Sequence, residues 1–182
     1  MKLKDILFER KNDILEAWFS EIIKTYPDDS HKFFINKKNQ FGNPVGYTIH
    51  KEIEAILNGL LKGAAPQEAV SYLDGIIKIR AIQDFTPAQA VHFVFLLKNA
   101  VRAVLKKELA DKNILVQLAP LETEIDGLAL VSFDIYMSRR ERLYELRARE
   151  VKNRTERLLQ RVGIMYEHAV REPDGEDDDR EV

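Results

Sequence analysis

The sequence has 182 residues, 45% of them hydrophobic, which is enough for one packed domain with an appendage. Charged residues make up 32% and the formal net charge is −2, so no overall charge draws the chain to nucleic acid or to a membrane surface. The lack of cysteine excludes disulfides, thiolate chemistry and cysteine-bound metals. A charged amphipathic start and the lack of a run of about 20 apolar residues predict a cytoplasmic protein with no signal peptide or membrane span.

The predicted secondary structure is helical throughout. Capping residues, prolines and apolar spacing predict five helices: Asp5–Thr25, Pro44–Gly63, Pro66–Gln83, Pro87–Leu109 and a last one beginning at Pro120. Residues 27–43 form a long connection that is too apolar for a freely solvated loop. We expect it to pack on the body as a short irregular helix, with a lid or binding segment as the alternative.

The turn between the third and fourth predicted helices has the form of a capping box. Thr86 can accept a hydrogen bond from the amide of Gln89, whose side chain reaches back, while Pro87 takes the first helical position. The fourth helix is apolar on nearly all sides in its first half. We therefore predict that it is the central helix of the domain.

Arg80, Gln83 and Asp84 form a candidate polar cluster just before this turn. Arg80 falls on the apolar stripe of the third helix, so its charge is predicted to point toward the core. Asp84 follows four residues later, at the C-terminal end of the helix, where the helix dipole disfavours an anion. Helix stability alone therefore does not explain the presence of Arg80 and Asp84 at these positions. A buried ion pair that fixes the turn is the favoured interpretation. Recognition of an anionic ligand or of a partner subunit by Arg80 is the alternative.

A further set of residues is spread from the first to the fourth predicted helix: Trp18, Tyr26, Pro27, the run Phe41–Gly46, the run Ile79–Val91, Phe93, Phe95, Leu97 and Lys98. Together they resemble the signature of the N-terminal domain of the RsbT co-antagonist (RsbRD-type) family, the sensory modules of bacterial stressosomes. The resemblance covers residues 5–130 and implies a globin-like helical bundle without haem. No catalytic residues are recognised for that family, so it implies a regulatory role and none of its residues is a catalytic candidate here.

The region after Pro120 is rich in Ala, Leu, Glu and Arg, and it predicts one helix of about 45 residues, or about 65 Å at about 1.5 Å per residue. Alternating spacings of four and three residues mark a coiled-coil seam at Tyr144, Ala148, Val151, Thr155, Leu158, Val162 and Met165. Such a seam needs a partner, most simply a second copy of the chain, and we predict a homodimer. Nine basic residues between Arg139 and Arg161 are interleaved with four acidic ones, which is more typical of a solvated coiled-coil flank than of a nucleic-acid site.

No motif predicts catalysis. The four histidines show no i, i+4 pairing, and the chain has no glycine-rich phosphate loop and no nucleophile elbow, so we expect no metal, no cofactor and no enzymatic activity. His92, in the predicted central helix, is a candidate haem ligand, although a packed core histidine is the favoured interpretation. A haem- or ligand-binding protein is therefore the alternative function, and a small-molecule ligand stays open.

We expect an all-α, globin-like helical bundle with a long C-terminal helix. The predicted domains are a sensor domain over residues 1–128, a protruding dimerisation helix over 129–172 and a disordered acidic tail over 173–182. The expected function is signal sensing, relayed through the C-terminal helix to a separate regulatory protein. In the stressosome proteins that the chain resembles, such a helix leads into an output domain of the STAS type, so the output here is expected to come from another polypeptide.

Overall fold

The computed structural model describes residues 2–27, 42–83 and 85–171, with side chains described as far as residue 163. Within these ranges the chain forms six α-helices, two short 3₁₀ helices and no strand. The predicted all-α class and the long C-terminal helix are confirmed. The acidic tail and most of the connection between the first two predicted helices lie outside the described residues.

The first predicted helix is two helices in the structure. Helix α1 spans Leu3–Glu9 and α2 spans Lys11–Ile23, and Arg10 between them has φ −94° and ψ 14°. The amide of Arg10 still bonds to the carbonyl of Ile6 at 2.9 Å, so the break hardly disturbs the apolar spacing. The apolar periodicity therefore predicts a single helix where the structure has two.

Helix α3 spans Pro44–Lys62 and has the predicted cap at each end. The side chain of Asn43 accepts a hydrogen bond from the amide of Gly46 at 2.8 Å. A Cβ atom at Gly46 would come within 2.3 Å of the Asn43 side chain, so this cap requires glycine. At the other end, Gly63 has φ 79°, a left-handed conformation that glycine adopts without steric strain.

The next two helices enclose the predicted turn. A 3₁₀ turn over Pro66–Ala69 leads into α4, which spans Val70–Ile82, and α5 spans Pro87–Val104. The hydroxyl of Thr86 accepts from the amide of Gln89 at 3.3 Å, and the Gln89 side chain accepts from the amide of Thr86 at 3.0 Å, so the capping box is confirmed. Eight residues of α5 are buried, in accord with its predicted central place: Ala90, Val91, Phe93, Val94, Leu96, Leu97, Ala100 and Val101.

Helix α6 spans Lys112–Arg171 and contains Pro120 in its interior. The prediction that this helix begins at Pro120 is therefore wrong. Ile114 and Leu118, one helical turn apart and both before the proline, are buried in the core. Their burial favours the helical turn there and offsets the hydrogen bond that proline cannot donate.

The chain divides into two compact units, residues 1–140 and residues 141–182. The first unit contains the hydrophobic core, to which all six helices contribute. In the second unit α6 is the described element, and its side chains from residue 144 to residue 163 are exposed. The domain limits predicted from the sequence, at residues 128 and 172, stay predictions.

Candidate functional site

Arg80 lies near the C-terminal end of α4, and its side chain is fully buried. Its Nη1 donates to the carbonyl of Gln89 at 2.9 Å, and its Nη2 donates to the hydroxyl of Thr25 at 3.0 Å. The guanidinium thus connects α4 to the first turn of α5 and to the residues that follow α2. The predicted direction of Arg80, toward the core, is confirmed.

Three aromatic rings surround this guanidinium. Their centroids lie 5.3 Å from its central carbon for Tyr26, 4.9 Å for Phe85 and 5.3 Å for Phe93. Cation–π attraction of this kind replaces part of the hydration that a buried cation loses. We name Thr25, Tyr26, Arg80, Phe85 and Phe93 the Arg80 cluster.

Burial shifts both titratable groups of the Arg80 cluster. It lowers the pKa of Arg80, and the nearby Tyr26 partly offsets this effect. Burial also raises the pKa of the Tyr26 hydroxyl, and the charge of Arg80 partly offsets that shift. Each shift favours the neutral form of its group, as desolvation does.

Helix α6 is attached to the Arg80 cluster through Tyr136. The hydroxyl of Tyr136 donates to the carbonyl of Phe85 at 2.7 Å. The amide of Phe85 in turn donates to the carbonyl of Arg80 at 3.3 Å. The turn between α4 and α5 is therefore held by the buried arginine on one side and by the long helix on the other. No spacing in the sequence identifies this contact, because it joins residues 51 positions apart.

A second attachment lies three residues further along α6. The Nε of Arg139 donates to Oδ1 of Asp74 at 2.7 Å, and its Nη2 donates to Oδ2 of the same carboxylate. This bidentate geometry fixes orientation as well as distance, and it raises the pKa of Arg139. Asp74 lies on α4, so Tyr136 and Arg139 attach one turn of α6 to α4 and to the turn after it. Sequence reasoning missed this pair as well.

The opposite side of the Arg80 cluster is supported by Trp18 of α2. Its Nε1 donates to the carbonyl of Phe93 at 2.7 Å, and the two rings are stacked with centroids 6.5 Å apart and planes inclined by 10°. Trp18 is fully buried. The backbone of α5 beside Arg80 is therefore fixed by an indole donor from a neighbouring helix.

The other two members of the predicted polar cluster are not part of this buried arrangement. Gln83 is exposed just after α4, and its amide donates to the carbonyl of Ile79 at 3.2 Å. Asp84 lies outside the described residues, so its ion pair with Arg80 stays a prediction. The described partners of Arg80 are a carbonyl, a hydroxyl and aromatic rings.

His92 is exposed on α5, so the prediction that it packs among core side chains is wrong. Because α5 is apolar on nearly all sides, its sequence does not reveal which side faces solvent. His92 lines neither the cleft between α3 and α6 nor the neighbouring one beside Leu3 and Pro120. Over the same residues, no group of three or more His, Asp or Glu side chains is arranged to hold a metal ion.

The predicted seam residues between Tyr144 and Val162 are exposed on α6 in the second unit. Four large apolar members are between 54% and 65% exposed: Tyr144, Val151, Leu158 and Val162. The side chain of Met165 lies outside the described part. Apolar side chains at coiled-coil spacing with this exposure are typical of a helix that pairs with another. The dimer seam stays a prediction.

A cleft of about 400 Å³ lies in the first unit, between the second half of α3, the 3₁₀ turn and α6. Small residues form much of its wall: Ala55, Gly59, Ala64, Ala65 and Ala69. Ile56 and Leu128 add apolar surface, and Lys62 and Glu124 add opposite charges. Its volume falls within the range of about 300–1,000 Å³ that is typical of small-ligand sites.

The fold and the site together define an all-α domain in which a buried arginine joins α4 to α5, and in which two polar contacts attach α6 to α4 and to the turn after it. A family model described as the RsbT co-antagonist protein RsbRD N-terminal domain matches residues 12–151. The chain belongs to this family, which consists of regulatory sensor domains and is not known as an enzyme family. No curated protein and no solved structure matches the chain. No helix in the described ranges is both long enough and apolar enough to cross a membrane.

Proposed function

We propose that this chain is a non-catalytic, dimeric sensor module that relays a signal through α6 to a separate regulatory protein. Membership of the RsbRD N-terminal family supports a stressosome-like sensory or regulatory role. The observation that carries the relay is the attachment of one turn of α6 to the body through Tyr136 and Arg139. The same helix runs on to Arg171.

In this proposal the signal acts at the turn between α4 and α5. A change that displaces the carbonyl of Phe85 or the carboxylate of Asp74 breaks or redirects the bonds to Tyr136 and Arg139. The displacement is then passed along α6, which is one helix from Lys112 to Arg171. Two arrangements of α6 with different affinities for the partner protein are enough for a switch.

The homodimer in this proposal is supported by the exposed seam. Tyr144, Val151 and Leu158 are each more than half exposed on a single helix and are spaced by seven residues. Covering such a stripe with the same stripe of a second copy removes apolar surface from water, at about 25 cal/mol per Å². A symmetric pair of identical surfaces is the commonest arrangement of soluble oligomers.

The relay is tested by a distance measurement across the dimer. The chain has no cysteine, so Arg149→Cys, at an exposed position outside the seam, takes a single spin label, and pulsed electron resonance reports the distance between the two labels. Tyr136→Phe in this background removes the bond to Phe85 and is expected to change the distance distribution. Tyr72→Phe is the matched control, because Tyr72 is exposed and forms no hydrogen bond among the described residues.

Two results contradict parts of this proposal separately. An unchanged distribution in Tyr136→Phe means that the bond to Phe85 does not control α6. A labelled protein that is monomeric at micromolar concentration means that the homodimer is wrong.

A small-molecule sensor is the second candidate, and the cleft between α3 and α6 favours it. Native mass spectrometry of protein purified from its own host is expected to show an added mass if a ligand is held. Ala65→Leu places a larger side chain at the cleft wall and should then remove the added mass. An absorption spectrum of the same sample tests the haem alternative.

A further inference from the structure

The cleft between α3, the 3₁₀ turn and α6 lies wholly within the first unit, and residues of opposite charge line it. Lys62 is in the last turn of α3, and Glu124 is on α6. Both are exposed, and neither forms an ion pair or a hydrogen bond with any residue in the described ranges. A cation and an anion thus line the same cleft without being paired with each other.

A further carboxylate at this cleft already has a partner. Glu68, in the 3₁₀ turn, accepts a hydrogen bond from the amide of Ala65 at 2.9 Å through its Oε1. Among the charged side chains that line the cleft, Lys62 and Glu124 are therefore the two that a ligand can engage without breaking a bond. A carboxylate is the matching group for Lys62, and an ammonium group is the matching group for Glu124.

The deeper part of the cleft is apolar. Ile56 and Leu60 of α3 and Leu128 of α6 line it, and all three are buried. The small residues of the wall leave a volume of about 400 Å³ between these apolar side chains and the charged ones. A short aliphatic group that fills this space removes apolar surface from water on both sides of the contact. The cleft therefore combines two opposite charges with an apolar floor.

Helix α6 packs closely on the 3₁₀ turn beside this cleft. Gly127 lies between Glu124 and Leu128, and a Cβ atom at Gly127 would lie 3.1 Å from Cγ of Pro66, which also lines the cleft. The lack of a side chain at Gly127 thus allows α6 to approach the 3₁₀ turn. A ligand that contacts Glu124 and Leu128 lies against the same turn of α6.

We propose that this cleft binds a small zwitterion with an apolar side chain, an aliphatic α-amino acid of about the size of leucine. Lys62 binds its carboxylate, Glu124 binds its ammonium group, and the aliphatic side chain covers Ile56, Leu60 and Leu128. This inference rests on the small-molecule candidate of the proposed function and names the chemical class of the ligand.

Charge complementarity favours a zwitterion over a ligand with a single charge. A small anion pairs with Lys62 but brings a second negative charge toward Glu124 and Glu68. A small cation pairs with Glu124 but brings a second positive charge toward Lys62. A ligand that carries both charges pairs with each side chain and avoids both repulsions.

A ligand held in this way joins α3 to α6 within the first unit. Glu124 lies on α6 about three helical turns before Tyr136, the residue that attaches the same helix to Phe85. Arg139 attaches the next turn to Asp74. Binding at the cleft therefore acts on the helix whose position the proposed relay depends on.

Isothermal titration calorimetry of the full chain tests the ligand class, with L-leucine as the probe. Isoamylamine lacks the carboxylate of leucine and isocaproate lacks its amino group, while both keep its aliphatic part. Leucine is expected to bind, and each analogue is expected to bind about tenfold more weakly, because it loses one charge-assisted hydrogen bond. A preference for either analogue over leucine overturns the zwitterion.

Two substitutions test the contacts. Glu124→Gln should weaken leucine binding about tenfold without weakening the binding of isocaproate. Lys62→Met should weaken leucine binding to a similar extent and remove the preference for leucine over isoamylamine. Glu9→Gln and Lys78→Met make the same changes outside the cleft and should bind leucine like the parent. All four positions are exposed, and thermal unfolding verifies that each variant is folded.

The outcomes separate this inference from the small-molecule sensor itself. Weaker leucine binding in both cleft variants, with both controls unchanged, supports the zwitterion site. An effect of one cleft variant alone, or of neither, overturns it. The lack of leucine binding at millimolar concentration overturns it as well. The small-molecule sensor survives these negative results if the parent protein from its own host carries an added mass that Ala65→Leu removes, and it fails with the zwitterion if no such mass is found.

Discussion

The hydroxyl of Tyr136 and the carbonyl of Phe85 are joined by a hydrogen bond of 2.7 Å. Tyr136 is almost completely buried, so water does not compete for this bond. The bond connects the longest helix of the chain to the short turn beside Arg80, and it does so through a backbone atom of the turn. The turn and α6 are therefore joined by a single side chain, that of Tyr136, which bonds directly to the backbone of the turn.

The first prediction concerns this bond. Tyr136→Phe should lower the free energy of unfolding by about 1 kcal/mol, because the buried carbonyl of Phe85 loses its donor while the ring still fills its place. Urea denaturation measures the change. Tyr72→Phe should alter stability by less than about 0.5 kcal/mol, as expected for an exposed hydroxyl. Equal effects in the two variants would show that the bond contributes nothing.

The second prediction concerns Arg80. Arg80→Ala should destabilise the fold by about 3 kcal/mol, because two hydrogen bonds and the packing against three rings are lost together. Arg80→Lys should also destabilise it, since one ammonium lacks the planar fork that reaches both Gln89 and Thr25. Arg149→Ala, at an exposed position, is the control for loss of charge. If Arg80→Ala melts like the parent, its role is not structural, and recognition of an anion becomes the better interpretation.

The third prediction concerns alkaline pH. In the unfolded chain Tyr26 loses its proton near the ordinary tyrosine pKa of 10.0, whereas burial raises this pKa in the folded protein. Above the unfolded pKa the folded state therefore binds more protons, and stability decreases as pH rises through the folded pKa. Tyr26→Phe should remove this loss, so the stabilities of parent and variant should run parallel below about pH 10 and diverge above it. Parallel curves over the whole range would contradict the raised pKa.

The fourth prediction concerns the seam in the second unit. In a parallel pair with Tyr144 and Val151 at d positions of the heptad, Arg147 takes a g position. It then lies beside Lys152 of the partner subunit, and the two charges repel. Lys152→Glu should replace repulsion by attraction at two symmetric places and tighten the dimer by about 1 kcal/mol, or about fivefold in Kd. The gain should shrink at high salt.

Arg149→Glu is the control for this variant, because it makes the same change of charge at a b position away from the seam. Sedimentation equilibrium at two salt concentrations measures both dimers. Equal dissociation constants for the two variants would rule out the parallel register.

The parts of the fold that could be predicted are those set by neighbouring residues. The Asn43 cap, the Thr86–Gln89 capping box and the left-handed Gly63 each depend on atoms a few positions apart, and all three are confirmed. The break at Arg10 and the helical conformation around Pro120 depend on packing against distant helices. Local propensity cannot reveal such effects, because tertiary contacts outweigh it.

The candidate site likewise has one part that neighbouring residues predict and another that depends on distant contacts. The apolar stripe of α4 is enough to predict that Arg80 points inward. Its partner Thr25 is 55 residues away, and the pair of Tyr136 and Phe85 spans 51 residues. Helical periodicity relates only residues a few positions apart, so it predicts neither contact. The exposed position of His92 does not follow from the sequence, because a helix that is apolar on nearly all sides has no obvious outer face. Its solvent-exposed side is decided by which neighbouring helices cover it.

Trp18 is the single tryptophan of the chain, and its buried indole donates to the backbone of α5 at 2.7 Å. Its fluorescence therefore comes from one place, the contact between α2 and α5 beside the Arg80 cluster. An event that admits water to this contact will shift the emission to longer wavelength. The unlabelled protein thus contains an optical reporter next to the proposed signalling turn, and candidate stimuli can be screened by titration in a cuvette.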